Sequence, residues 1–227
     1  HAEMFDYLMI SGLQSLTIWV LLLLPNFLSS QSWSLQAIGW AVGIFFLFHL
    51  VFQILAGFLA DRIGPIKTAV AGVASGLAGG ALYCAALWAP WLIFPARILH
   101  AIGVALIYAG PLIQLMQTVP LYLRGRVIGY YGLPGFVMIG LGPVMAEWLA
   151  HRWGFRGVFL AVPILFSILG CFVYRLPRHL PKEQLHAQPF LRTFRETFNP
   201  LRSILIFSTV FGLSFASWNS FLAPAVL

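Results

Sequence analysis

Seven apolar runs, at 7–29, 35–60, 67–89, 91–117, 126–149, 155–175 and 203–227, each reach the roughly 20 residues that a helix needs to cross the hydrocarbon core of a bilayer. Such runs are about twice as long as a barrel strand and show no apolar–polar alternation, so strands are excluded. In hydrocarbon, every backbone N–H and C=O must be satisfied inside the segment, which leaves α-helices. Composition agrees. Of 227 residues, 60% are hydrophobic and 8% charged, against about 45–50% and about 25% in a soluble domain. A globule so poor in charge cannot cover its own surface. The sequence therefore predicts an all-α, multi-pass integral membrane protein, placed in the plasma (inner) membrane. A soluble enzyme, a disordered chain and a disulfide-rich secreted module are excluded.

The formal net charge of +7 does not mark a nucleic-acid binder, because no basic stripe with interleaved aromatics exists. It carries orientation instead. The loops after the second, fourth and sixth runs hold Arg62, Lys67, Arg124, Arg126, Arg175, Arg178, Lys182, Arg192, Arg195 and Arg202, ten of the 13 Lys and Arg. The loops after the first, third and fifth runs hold only Arg152 and Arg156, and Arg97 sits inside the fourth run. Cytoplasmic loops collect Lys and Arg, so the N-terminus and the basic loops are expected in the cytoplasm. A seven-helix receptor with an external N-terminus would need the opposite bias. Cys84 and Cys171 fall in apolar runs without metal-ligand spacing, and are expected to be small buried hydrophobes. The first run is too long for a cleavable signal peptide and lacks a small-residue cleavage site.

Residues 177–202 contain Pro177, Pro181, Pro189 and Pro200 and much of the charge. They predict a cytoplasmic linker. Within it, FLRTFRETF at 190–198 fits a short amphipathic helix on lipid headgroups and a solvated linker equally well. The seventh run repeats a feature of the first: Pro25 and Pro224 each stand three residues before a Leu near the same end of a run. The expected organisation is a six-helix bundle over 1–176, the linker over 177–202, and 203–227 as the first helix of a second bundle. The chain starts with His1 rather than Met, and is expected to be part of a larger protein whose C-terminal half is missing.

At the joint of the second and third runs stands Gly57-Phe58-Leu59-Ala60-Asp61-Arg62-Ile63-Gly64-Pro65-Ile66-Lys67. It resembles the signature loop of the major facilitator superfamily: Gly, three residues, Asp-Arg, any residue, Gly, then basic residues. Gly57 is expected to let a neighbouring helix approach, Asp61 to accept from an arginine or a helix N-terminus, and Gly64 to permit the turn. The resemblance implies a conformational latch on the cytoplasmic side made by Gly57, Asp61, Arg62, Gly64 and Lys67. Pro65 and Ile66 replace the usual basic pair, which leaves the latch either weaker or reliant on Lys67. In the fourth run, Arg97-Ile98-Leu99-His100-Ala101-Ile102-Gly103 is similar to the family's helix-four pattern, with Ala101 where the family has Gly. The resemblance implies proton coupling for this arginine, or the holding of substrate-binding elements. Its burial costs about 2.5–3.5 kcal/mol on insertion scales, so it should face the interior and be paired.

In the fifth run, Gly132, Gly135, Gly140 and Gly142-Pro143-Val144-Met145-Ala146-Glu147 resemble the family's antiporter motif. Gly132, Gly135 and Gly140 are expected to allow close helix contact, and Gly142–Pro143 to bend the helix. In the family that bend is associated with exporters. Ala146 and Glu147 replace the closing Gly pair, which weakens the antiporter inference; Glu147 is expected to pair with Arg152, the alternative being that it meets a cation. Gly154-Phe155-Arg156-Gly157 resembles the family's approach to helix six, so the resemblance covers 1–176.

The resemblance implies a small-molecule substrate bound near the bilayer midplane between two bundles. Polar residues at that depth are the cavity candidates: Gln14, Thr17, Gln53, Tyr108, Gln114 and Asn219. Coupling candidates are Arg97, His49 and His100; a histidine titrates near neutral pH, so His49 either carries a proton or bonds a neighbouring helix. Arg97 apart, no carboxylate or lysine lies deep in a run, and Glu3 and Asp6 stand only at the entrance of the first. No catalytic set, metal cluster or phosphate-binding loop appears, so neither an enzyme, a cofactor nor ATP drive is expected. The expected function is a secondary transporter working by alternating access in the lipid bilayer, with a proton as coupling ion and export favoured on the fifth run. An importer or symporter of the same fold, or a non-transporting sensor or subunit, is the alternative.

Overall fold

Prolines and glycines set the helix boundaries. The computed structural model describes residues 2–177, with side chains from Met4 onward, and Val210. The linker and the seventh run, with Asn219, lie outside the described residues apart from Val210. The helices are α1 (Ala2–Trp19), α2 (Leu24–Ser30), α3 (Leu35–Ile63), α4 (Pro65–Ala85), α5 (Ile93–Thr118) and α6 (Arg124–Arg175), with short 3₁₀ turns at Pro90–Leu92 and Leu121–Leu123. No strand occurs among the described residues. Ser34 caps α3, its Oγ accepting from the Ala37 N–H at 3.2 Å. Pro65 opens α4, where its missing N–H costs nothing.

The α3–α4 joint shrinks to Gly64, whose φ of 95° and ψ of 151° lie in a region open essentially to glycine alone. Gly64→Ala is therefore expected to cost about 1–3 kcal/mol, read as a lower unfolding midpoint in detergent. An unchanged midpoint would show that the turn tolerates a side chain.

The first apolar run is not one helix, contrary to expectation. Pro25 has no N–H, and its ring collides with the carbonyl four residues back. The chain accordingly turns over Val20–Leu23 through tighter bonds, Leu22 N–H to Trp19 O at 3.2 Å and Leu24 N–H to Leu21 O at 3.0 Å. The fifth and sixth runs are the two limbs of α6. Its 52 residues would span roughly 80 Å at about 1.5 Å per residue, more than twice a bilayer core. The limbs divide at Gly154, with φ 65° and ψ −165°. Before it, Ser11 Oγ donates to Tyr131 O at 2.6 Å and Ser15 Oγ to Gly135 O at 3.0 Å, so the first limb runs with α1. After it, Phe155 and Phe159 pack on Phe27 with centroids 5.2 and 4.9 Å apart, and Arg175 Nη2 lies 3.3 Å from Asp6 Oδ1. The second limb returns against α1.

Close helix approach falls elsewhere than the fifth-run glycines suggest. A Cβ on Gly140 would meet nothing within 4 Å, one on Gly132 only Phe136 of its own helix, and one on Gly135 would have room beside Ser15. The tight contact of that limb is at Gly142, where a Cβ would overlap Trp19. The closest packing is α4 against α5 and the second limb of α6. Gly72, Gly76 and Gly80 recur every four residues along one face of α4: a Cβ on Gly76 would sit in the Phe166 ring and one on Gly80 would lie 2.9 Å from Pro163. Facing them, Gly103 of α5 abuts the Gly72 and Gly76 backbone.

Two ends result. At one, Arg175 meets Asp6, Gly110 abuts Pro65 and Gln114 Nε2 donates to Pro177 O at 2.5 Å; this end carries Arg62, Lys67, Arg124 and Arg126. The other gathers Phe27, Trp88, Trp153 and Arg156 around one recess. Cys84 is half-buried, with Sγ 3.7 Å from Phe159 O. Cys171 is exposed, which corrects the expectation that both thiols are buried: it lies on the outer face of the returning limb.

Candidate functional site

Arg97 stands in the second turn of α5 and is 5% exposed. Its Nε donates to Ala41 O at 3.1 Å and its Nη2 to Val42 O at 3.2 Å, while the guanidinium carbon lies 4.4 Å over the Phe45 ring. The expected pairing is present, but with carbonyls and an aromatic face of α3. Among the described residues no carboxylate reaches it.

One turn along α5, His100 is fully buried. Its Nε2 lies 3.1 Å from Thr17 Oγ1 on α1 and its Nδ1 3.3 Å from the Tyr83 hydroxyl on α4. Thr17 Oγ1 in turn donates to Gln14 O at 2.7 Å. Phe45 and Phe166 close over the imidazole, with centroids 5.1 and 5.5 Å away. His49, one turn beyond Phe45 on α3, stacks on it at 5.7 Å with planes 6° apart. The three coupling candidates Arg97, His100 and His49 thus meet around one ring. His49 Nδ1 and Gln53 Oε1 are buried without a hydrogen-bond partner in the described structure.

The cavity candidates separate. Thr17 is enclosed in the His100 network, so it lines no open space. Gln14 is buried beside it with Oε1 unpartnered. Tyr108 is half-buried and packs edge-on to Tyr131 at 5.8 Å. Gln114 is fully buried, with Nε2 bonded to Pro177 O beyond the end of α6. Sequence reasoning missed Phe45 and Tyr83. Both were signalled by spacing: Ala41, Phe45 and His49 share one face of α3, and Tyr83 continues the stripe of Gly72, Gly76 and Gly80 on α4.

At the basic end, Asp61, Arg62 and Lys67 are exposed, and the Arg62 guanidinium carbon lies 4.3 Å over the Phe58 ring. Among the described residues no neighbouring helix approaches Gly57, where one was expected; a Cβ there would meet nothing within 4 Å. Glu147 and Arg152 are both exposed, and among the described residues no ion pair joins them.

The sequence profile of the Major Facilitator Superfamily matches residues 7–226. The chain belongs to the major facilitator superfamily. With five helical stretches among the described residues long and apolar enough to cross a membrane, this superfamily member is a multi-pass integral membrane protein. It is similar to Multidrug resistance protein MdtH of Blochmanniella floridana, 26% identical over 178 residues, which cover 73% of this chain and 44% of that protein. It is also similar to uncharacterized MFS-type transporters of Burkholderia mallei (strain SAVP1) and Burkholderia pseudomallei (strain K96243), each 27% identical over 169 residues, covering 71% of this chain and 41% of the relative. The chain spans less than half the length of these curated relatives.

Proposed function

We propose that this chain is the N-terminal half of a secondary transporter that moves a small solute by alternating access and exports it in exchange for protons. The observation that carries the reading is Arg97. A buried guanidinium costs about 2.5–3.5 kcal/mol in a membrane helix; here it has no carboxylate partner among the described residues and stands beside the buried His100 and the half-buried His49. That is an expensive arrangement for architecture alone, and a suitable one for a charge that must redistribute during a cycle. In this reading α1 with α2, α3, α4, α5 and the two limbs of α6 make six crossings over 1–176. The end bearing Arg62, Lys67, Arg124 and Arg126 faces the cytoplasm, residues 177–202 link the halves, and 203–227 begins the second bundle. Exposed Asp61, Arg62 and Lys67 then latch onto that bundle. Export is supported by the Gly142–Pro143 step and by the printed name of the Blochmanniella floridana relative.

The test is the full-length protein in liposomes with an acidic lumen and ethidium outside. The expected result is ethidium accumulation that collapses when the pH gradient is dissipated. Ethidium flux indifferent to the gradient would sink proton coupling, and no flux under any gradient would sink ethidium export. The replacement of the closing Gly pair by Ala146 and Glu147 favours a second reading, import. Its mark would be uptake driven by an inward proton gradient.

A further inference from the structure

We propose that His100 is the proton-accepting centre of a one-way hydrogen-bond relay, from the Tyr83 hydroxyl through His100 and Thr17 to the Gln14 carbonyl, and that uptake of a proton there breaks the tie between α4 and α5. The inference rests on the proton-coupled reading above and names the group that carries the proton.

The direction of each link follows from donor and acceptor inventory. The Thr17 hydroxyl spends its hydrogen on Gln14 O at 2.7 Å, so it can offer His100 only a lone pair. Nε2, 3.1 Å away, must carry the imidazole hydrogen. A neutral imidazole has one donor and one acceptor, which leaves Nδ1 bare to receive the Tyr83 O–H at 3.3 Å. The relay joins three helices, α4, α5 and α1, and has a single polarity.

Protonation reverses one link. The proton adds to the Nδ1 lone pair; no other bond forms or breaks, and both ring nitrogens become donors. The Nε2 bond to Thr17 survives. At the other side, two donors now face one another, and the Tyr83 hydroxyl must turn its hydrogen away. The groups around His100 give that hydrogen little to bind. Arg97 on α5, which stands beside the Tyr83 oxygen, is a donor only. Phe45 on α3 and Phe166 on α6 offer aromatic rings, and His49 on α3, stacked on Phe45, is a further titratable group that acts on His100. Tyr83 or Arg97 must therefore move when the proton arrives. Arg97 is tied to Ala41 and Val42 of α3, so its displacement carries α3 as well. A proton on His100 and the present packing of α3, α4 and α5 exclude each other.

The test uses the full-length protein with ¹⁵N-labelled histidine in lipid nanodiscs, the His100 signals being assigned by their loss in His100→Gln. Ring ¹⁵N shifts are expected to show a pure Nε2–H tautomer at neutral pH, and Thr17→Val to convert it into a mixture. A pure Nδ1–H tautomer or a doubly protonated ring in the wild type at neutral pH would overturn the relay. In liposomes, His100→Gln, whose amide offers donors and an acceptor but no titratable group, is expected to lose the pH response of ethidium flux. A pH response equal to that of the wild type would overturn the proton assignment. Absence of any flux in the wild type would count against the transport reading alone, and the tautomer then decides the relay.

Discussion

Arg97→Ala is expected to lower proton-driven flux by about 100-fold or more, the equivalent of about 2.7 kcal/mol, while the protein still expresses and folds. The two effects separate because of what Arg97 touches. Its acceptors, the carbonyls of Ala41 and Val42, lie inside α3 and are already taken by that helix's own ladder. Truncation therefore orphans no acceptor. The loss of the cation over Phe45 removes about 0.5–2 kcal/mol, and the relief of a buried charge offsets it. Stability should consequently shift by no more than about 1 kcal/mol. Flux in liposomes and the unfolding midpoint in detergent, measured on the same preparation, check both halves. Unchanged flux would make Arg97 a tie between α3 and α5; loss of the folded protein would make it a structural cation.

How far the sequence carries depends on how local the governing physics is. The apolar runs are legible because the bilayer imposes length and helicity on each run separately, and the interior position of Arg97 follows from the cost of its charge. The turn at Gly64 is legible for the same reason, since its backbone demand is met by one residue. The break at Val20–Leu23 was within reach: Pro25 acts on the carbonyl four residues behind it, inside a run whose hydropathy never falters. The reversal at Gly154 hides because a single residue does what His151–Arg156 would be expected to do as a loop.

Partner choice is not local at all. Gly140 and Gly103 are both glycines in apolar helices, yet one faces open space and the other a helix backbone. Thr17 looks like a cavity residue until His100 and Tyr83 are brought to it from sequence positions 83 and 66 residues away. The Gly72, Gly76, Gly80 spacing does carry partner information, since small residues every four positions make a flat face for a neighbouring helix.

A large stability effect should fall on that face. In Gly103→Ala, the new methyl would lie 2.8 Å from Gly72 O and 2.8 Å from Gly76 N. Both are backbone atoms, so no side chain can swing aside and α5 must back away from α4. Overpacking of this kind costs about 3 kcal/mol at the upper end of its usual range, and alanine returns about 1 kcal/mol of helix propensity. The net expectation is a loss of about 2 kcal/mol, seen as a lower midpoint in thermal unfolding of the purified protein. Gly140→Ala supplies the contrast, because its methyl would meet nothing within 4 Å. It should be neutral, or stabilising by up to about 1 kcal/mol. Equal midpoints for the two variants would mean that helix propensity governs both sites and that α4 and α5 have slack. A drop confined to Gly103→Ala would place the rigidity of the bundle at the α4–α5 contact.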